Sequence, residues 1–264
     1  MHEGGALGGA LTRWGRFWPR RVAAAEPLAV ALEDHARSGR PRRVAATRAD
    51  GVAFEIETEE YFTLEGALGE LDSMALDACR GRVLDVGAGA GRHALALQDR
   101  GMEVVAIDVS PRCASLCRAR GVVSSHAFDV MALESPEPFG RFDTLHFGMQ
   151  TIGVAGGVAP LATLLRRLKG CLAPGGQLLA DSSALRQAWE DDEADRSPER
   201  GEIVLSTRYR GWRGEPFPWL YLAEGDLRDV AYEAGFAMRT LGRVETGEYL
   251  ACLQLDGFDS SRRS

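Results

Sequence analysis

The stretch Val83-Leu84-Asp85-Val86-Gly87-Ala88-Gly89-Ala90-Gly91-Arg92 decides the fold. A short apolar run with strand character meets three alternating glycines, and a helical pattern with Leu95 and Leu97 on its packed side follows from Arg92 to Arg100 before Gly101 stops it. Glycines between a strand and a helix let the backbone turn tightly and approach a ligand with no side chain in the way. A glycine-rich turn alone is common in loops; this position makes it a candidate nucleotide loop.

Working outward, Glu103–Ile107 reads as the second strand and ends on Asp108, about 20 residues beyond the glycines. In nucleotide-binding α/β folds an acid at that place accepts hydrogen bonds from ribose hydroxyls. An aspartate there is equally suited to cap the helix starting at Pro111. That helix, Pro111–Arg120, closes at Gly121, and Val122-Val123 starts a third strand. A fourth strand over Phe142–Phe147, a helix over Pro160–Leu172 and a fifth strand over Gln177–Ala180 follow. After a helix at Asp226–Ala234, two strands, Phe236–Val244 and Tyr249–Leu255, flank the turn Glu245-Thr246-Gly247. Strands alternating with helices predict an α/β fold built on a parallel sheet.

Upstream, Val52–Glu57 alternates like a half-buried strand, and Leu64 to Cys79 is helix-like. Residues 1–50 form an N-terminal extension. Its first part carries Arg13, Arg16, Arg20 and Arg21 with two tryptophans and no acid between Glu3 and Ala25, as a targeting peptide or membrane-surface helix would. Glycines at 4, 5, 8, 9 and 15 and Pro19 favour a loosely ordered tail instead, with one short helix over Leu28–Ala36. Residues 51–264 then form one domain. It is interrupted at about 183–223 by an insertion holding an acidic run (Glu190 to Asp195), an alternating segment (Ile203 to Tyr209) and the aromatic stretch Pro216-Phe217-Pro218-Trp219-Leu220-Tyr221.

The 264 residues are 45% hydrophobic and 26% charged, the composition of a globular chain long enough for a full core. The net charge of −7 offers no global footprint for nucleic acid. No apolar run reaches the roughly 18 residues of a membrane span, so neither nucleic acid nor membrane is an expected partner. Five scattered cysteines (79, 113, 117, 171 and 252) form neither a metal-ligand pattern nor a disulfide framework, which predicts no metal and a reducing, cytoplasmic setting. Oligomeric state is not legible.

The glycine spacing separates the two dinucleotide-like cofactors. The nicotinamide fingerprint is G-x-G-x-x-G, whereas here Gly87-x-Gly89-x-Gly91 is one residue tighter and follows an acid, Asp85. This stretch resembles the first motif of class I S-adenosylmethionine (SAM)-dependent methyltransferases. Asp108 is similar to that family's ribose-binding acid, and His126-Ala127-Phe128-Asp129-Val130 to its adenine-binding loop. Phe142-Asp143-Thr144-Leu145 resembles the start of its fourth strand, Leu172-Ala173-Pro174-Gly175-Gly176 its L-x-P-G-G turn, and the last two strands its terminal hairpin. The resemblance implies a Rossmann-like, mostly parallel seven-stranded sheet of order 3-2-1-4-5-7-6, flanked by helices, with the last strand antiparallel. It further implies SAM, with S-adenosyl-L-homocysteine (SAH) as product, bound by Asp85, Gly87, Ala88, Gly89, Gly91, Asp108, Val109, Asp129, Val130, Phe147, Gly148 and Met149.

The family motifs assign no catalytic residue. An oxygen or nitrogen acceptor needs a general base within reach, and His146, Asp181, Tyr61 and Tyr209 are candidates, with His93 better suited to packing or capping. The expected reaction is methyl transfer to a small-molecule acceptor. Tyr61, Phe62, Gln150, Tyr209, Trp219 and Tyr221 are the candidate acceptor-binding residues, under a small lid made by the Val52–Glu57 and Ile203–Tyr209 strands. The rivals are an NAD(P)-dependent oxidoreductase and a SAM-binding protein without transferase activity.

Overall fold

The structure, a computed structural model, describes residues 18–63, 69–185 and 201–255. The acidic run Glu190–Asp195 and the first part of the N-terminal tail lie outside the described residues.

The glycine turn sits where expected. Strand β3 (Val83–Val86) is buried along its whole length and lies inside a seven-stranded sheet, with helix α3 (Arg92–Asp99) on the far side of the turn. Its parallel neighbours are β4 (Val104–Asp108) and β6 (Phe142–Phe147); β4 pairs outward with β5 (Ser124–Ala127) and β6 with β7 (Leu172–Ser182). The closing hairpin, β11 (Phe236–Arg243) and β12 (Tyr249–Leu255), inserts β12 antiparallel beside β7. The path β11-β12-β7-β6-β3-β4-β5 is the order 3-2-1-4-5-7-6 that the resemblance implies.

Side chains that alternate along each strand divide the core into two layers. Leu84, Val105 and Ile107 face Leu161, Leu164 and Leu165 of α5 (Val158–Leu168) and Leu227 and Val230 of α6 (Glu224–Glu233). Val83, Val104 and Ala106 face Leu76 of α2 (Glu70–Ala78), Ala94 and Leu97 of α3, and Cys117 of α4 (Pro111–Arg120). All five cysteines are buried free thiols, and Cys113 and Cys117 both pack inward from α4.

Several boundaries differ from the sequence reading. The third strand is Ser124–Ala127 rather than Val122-Val123: Val122 packs in the core but Val123 is 87% exposed, at an edge where apolar character does not mark pairing. The helix after the fourth strand starts at Val158 and ends at Leu168, and a 3-10 turn carries the chain to Cys171. β7 begins at Leu172, taking in the Pro174-Gly175-Gly176 turn across a register break opposite Phe142/Thr144. The expected N-terminal tail is helical from Trp18: α1 (Trp18–Ser38) spans 21 residues. Pro19 falls in the first turn, where a missing N–H costs nothing. Ala29 and Leu32 pack on Cys113 and Leu116 of α4, and the Thr207 hydroxyl donates to the Ala24 carbonyl, so tertiary contacts override weak local propensity.

The region expected as a lid is a second antiparallel sheet. The expected strands are β2 (Ala53–Glu57) and β8 (Glu202–Tyr209), and between them lies β1 (Arg43–Arg48), which the sequence reading missed. β10 (Phe217–Leu220) pairs on the other side of β8, and β9 (Trp212–Arg213) forms a short hairpin with it. β1 buries Val44, Ala46 and Arg48 on alternate positions, but its charged ends hide that alternation in the sequence. Among the described residues, no helix is long and apolar enough to cross a membrane.

Candidate functional site

A cavity of about 780 Å³ opens at the carboxyl ends of β3, β4, β6 and β7, the edge where open α/β sheets bind ligands. Arg21, Leu28 and Leu32 of α1, Phe54 and Ile56 of β2, Leu205 and Thr207 of β8, and Phe217 and Trp219 of β10 line it from the opposite side.

At one end lies the glycine turn. Gly87 and Gly89 hold φ of 70° and 56°, in the left-handed region where a side chain is strained. A Cβ on Gly89 would come within 2.9 Å of the Tyr61 ring, and one on Gly87 within 2.5 Å of the Thr151 methyl. The turn is therefore open backbone bordered by other chain segments, a cradle that any side chain would fill. Gly87 and Ala88 both donate their N–H groups to the Ile107 carbonyl, tying the turn to β4. Gly91 does not line the cavity; its Cα faces Val122 and Cys117, so its place is in helix packing.

Asp108 joins the turn to the next helix. One carboxylate oxygen accepts the Gly89 N–H at 2.9 Å and the other the Ser110 N–H at 2.8 Å. The cap of α4 is Ser110, whose hydroxyl accepts from the Cys113 N–H. Asp108 is thus left facing the cavity with lone pairs to spare. Burial pushes its carboxyl up to about 6 against the pull of those two backbone donors. Val109 lines the cavity beside it, and further along the rim lie Asp129 and Val130. Asp129 accepts the Met131 N–H at 3.0 Å and faces the Arg21 guanidinium at 3.4 Å; burial raises its carboxyl and Arg21 partly offsets this.

Beneath the turn sits a polar group that does not reach the cavity. Asp85, 1% exposed, bonds His146 Nδ1 at 2.9 Å. The His146 ring meets His93 edge-on at 4.8 Å between centroids, and His93 Nε2 lies 2.8 Å from Asp72 Oδ1. His93 is held below the ordinary histidine value by burial. Asp85, His93 and His146 bring three ligand-type atoms within 4.8 Å of one another, and Gly148 leaves the space beside both rings. Asp72 and Arg92, joined at 2.6 Å, carry this network to the cavity wall. Ala88 and Phe147 do not line the cavity, and Phe147 is 1% exposed in the core.

At the other end, Met149 and Gln150 both adopt left-handed backbone, φ 54° and 56°. Such conformations in non-glycine residues cost of order 1–3 kcal/mol each and cluster at functional sites. The Gln150 N–H donates to Asp181 Oδ2 at 2.8 Å, which pins the segment, while Gln150 Oε1 is buried without a partner. Asp181, at the end of β7, is half-buried, and the surface it retains faces the cavity, so desolvation still pushes its carboxyl up to about 6.

Of the aromatic candidates, Tyr61, Trp219 and Tyr221 line the cavity. Phe62 and Tyr209 do not. Phe62 stacks on His35 at 4.1 Å and lies under the Arg120 guanidinium, and the Tyr209 hydroxyl donates to Asp34 at 2.9 Å while its ring packs on Ala31 and Val44. Burial raises the Tyr61 hydroxyl far above its ordinary value, which disfavours it as a base. The sequence reading missed Arg21, Phe54, Asp72, Arg92, Thr151 and Phe217, all of which line the cavity. Arg92 was signalled by its place directly after the third glycine; Arg21 and Asp72 had no local signal.

Residues 83–176 match a protein family described as a methyltransferase domain. The fold is similar to the crystal structure of a SAM-dependent methyltransferase from Bacteroides fragilis in complex with S-adenosyl-L-homocysteine, at 32% identity and a TM-score of 0.79, over 89% of this chain and 96% of that one. More distant likenesses, of fold alone, are to the CcbJ methyltransferase from Streptomyces caelestis (16% identity, 70% and 89% of the two chains, TM-score 0.51) and to DesVI from Streptomyces venezuelae (14%, 71% and 93%, 0.53).

Proposed function

This chain belongs to the SAM-dependent methyltransferase family, and from that premise we propose that it methylates a small molecule seated in the 780 Å³ cavity. The observation that carries the reading is that one cavity joins the glycine turn, Asp108 and Asp129 to an end walled by Gln150, Asp181 and Trp219. A cavity of this size is within the range of small-ligand sites.

The first end fits the cofactor. Gly87 and Gly89 leave bare backbone for it, and Asp108 keeps carboxylate lone pairs for ribose hydroxyls. Asp129, Val130 and Met149 line the same cavity, which supports adenine contacts for the first two and a methionine contact for the third. When bound, SAM supplies a methyl group already activated on a sulfonium. The protein's own task is then alignment and exclusion of water. Tyr61 covers Gly89, the Asp181 carboxylate fixes Gln150 in its strained turn, and α1 with the second sheet covers the far side. A polymer would have to pass between that cover and the sheet edge, and a net charge of −7 opposes nucleic acid.

The test is incubation with methyl-labelled SAM and a panel of small amines, alcohols, thiols and activated carbons, run beside tRNA and a denatured protein mixture. Label is expected in the small-molecule panel. Label confined to tRNA or protein would overturn the small-molecule reading.

A further inference from the structure

We propose that the methyl acceptor is an amine that enters as its ammonium ion, and that Asp181 binds it and takes its proton. The inference rests on the methyltransferase reading above and deepens it.

The four aspartates that line the cavity are not equivalent. Asp72 is held by Arg92 at 2.6 Å and His93 at 2.8 Å. Asp129 faces Arg21 and takes the Met131 N–H, and Asp108 takes two backbone N–H groups. Asp181 has the Gln150 N–H and, among the described residues, no ion pair. Beside it on the cavity wall, Gln150 gives its backbone N–H to that carboxylate and leaves the rest of it facing the cavity. A half-buried carboxylate that faces a cavity without a counter-charge is complementary to a cation. A cation that also donates N–H bonds suits its free lone pairs, and an ammonium carries three such donors. A hydroxyl offers one donor and no charge, and a thiolate or carboxylate would be repelled.

The wall opposite agrees with this chemistry. Trp219 and Phe217 stand edge to face at 6.1 Å between ring centroids, and Phe54, Tyr61 and Tyr221 line the same cavity. Aromatic faces attract ammonium groups, most strongly when these are desolvated. β10 packs on the 151–155 turn directly after Gln150, whose N–H holds Asp181, with Trp219 Nε1 2.6 Å from where a Cβ on Gly153 would stand, so the aromatic wall and the Asp181 carboxylate belong to one end of the cavity.

The proton step balances without a further reactant. One N–H bond of the ammonium breaks and an O–H bond forms on Asp181. The freed nitrogen lone pair makes the N–C bond while the C–S bond gives its electron pair to sulfur. Asp181 afterwards returns its proton to solvent. Burial pushes the Asp181 carboxyl up to about 6, which makes it a stronger base than an exposed aspartate.

The test is calorimetric binding to the SAH-loaded protein at pH 7.5 of three matched pairs: benzylamine and benzyl alcohol, phenethylamine and phenethyl alcohol, cyclohexylamine and cyclohexanol. The amine of each pair is expected to bind about tenfold or more tightly than its alcohol, and D181N is expected to abolish that preference while holding SAH within about twofold of wild type. Equal or stronger binding of the alcohols, no amine binding, or an amine preference that survives in D181N overturns the proposal. So does weakened SAH binding by folded D181N, which would assign the carboxylate to the amino group of the cofactor. Failure of the wild type to bind SAH at all would instead overturn the methyltransferase reading beneath it.

Discussion

The two ends of the cavity are built in opposite ways. At the glycine end, the residues that face the proposed cofactor from the sheet edge lie between Val86 and Val130, with Met149 added after β6, on successive strand-turn-helix units whose turns fall at one edge because the strands are parallel. At the acceptor end the wall is assembled from β2, Gln150, the last residues of β7 and β10, drawn from distant parts of the chain, while α1 reaches over the glycine end through Arg21 and Leu32. The first end is fixed by backbone conformation and by hydrogen bonds to main-chain N–H groups. The second is fixed by packing of an added sheet onto the domain. A cofactor site made of backbone tolerates few side chains, whereas an acceptor site made of side chains on an added layer can change without disturbing the sheet beneath it.

Substitutions break this comparison in order of size. Gly89→Val is expected to weaken SAH binding by about 100-fold or more, since it strains a left-handed position and drives a side chain into the Tyr61 ring. Calorimetry measures this directly; retained affinity would mean that open backbone is not what defines the glycine end.

Asp181→Asn should make the unliganded protein more stable. The folded carboxyl sits at about 6, above an unfolded value of roughly 3.9, so the folded state holds the proton more tightly. Stability is therefore lost as pH rises from the unfolded value through the folded one, and the penalty is complete above about pH 6, at roughly 3 kcal/mol as an upper figure. The asparagine still accepts the Gln150 N–H and carries no charge, so Tm should rise by about 5 °C at pH 7.5 and the gain should shrink toward pH 5. A fall in Tm at pH 7.5 would show that the acceptor end stores no such penalty.

Asp108→Ala should weaken SAH about 10- to 30-fold, through loss of the ribose contact and of the two backbone bonds that hold the turn, and should leave the amine-over-alcohol preference in place. The smallest effect is expected from Trp219→Ala: a rise of about three- to tenfold in acceptor KM with SAH affinity unchanged. Circular dichroism separates this from unfolding of the second sheet, the outcome that would make Trp219 a packing residue only.

The same contrast explains what the sequence disclosed. The sheet order came from the family resemblance, whereas the glycine turn and Asp108 were legible because strand, glycine turn and acid follow one another at short spacing in Val83–Arg92 and Val104–Asp108. Within that end the sequence could not tell a residue facing the cavity from one facing the layer beneath it. Asp85 turns down to His146 and Gly91 faces Val122 and Cys117, a choice made by tertiary packing alone. At the other end Trp219, Tyr221 and Gln150 were legible as unassigned polar and aromatic groups, but Tyr209 and Phe62 have the same character and pack elsewhere. Arg21 was hidden more deeply. Its helix looked too rich in glycine and proline to form, and Ala29, Leu32 and the Ala24 carbonyl hold it in place through contacts no local pattern announces.

The most direct measurement of the central claim is a thermal-shift comparison of SAM, SAH, NAD and NADP on the wild type and on Asp108→Ala. A ligand at about 100 times its Kd adds roughly 2.7 kcal/mol, several degrees for a domain of this size. SAM and SAH alone are expected to raise the wild-type Tm, and Asp108→Ala to reduce both shifts. A rise with NAD or NADP and none with SAM or SAH would contradict that claim.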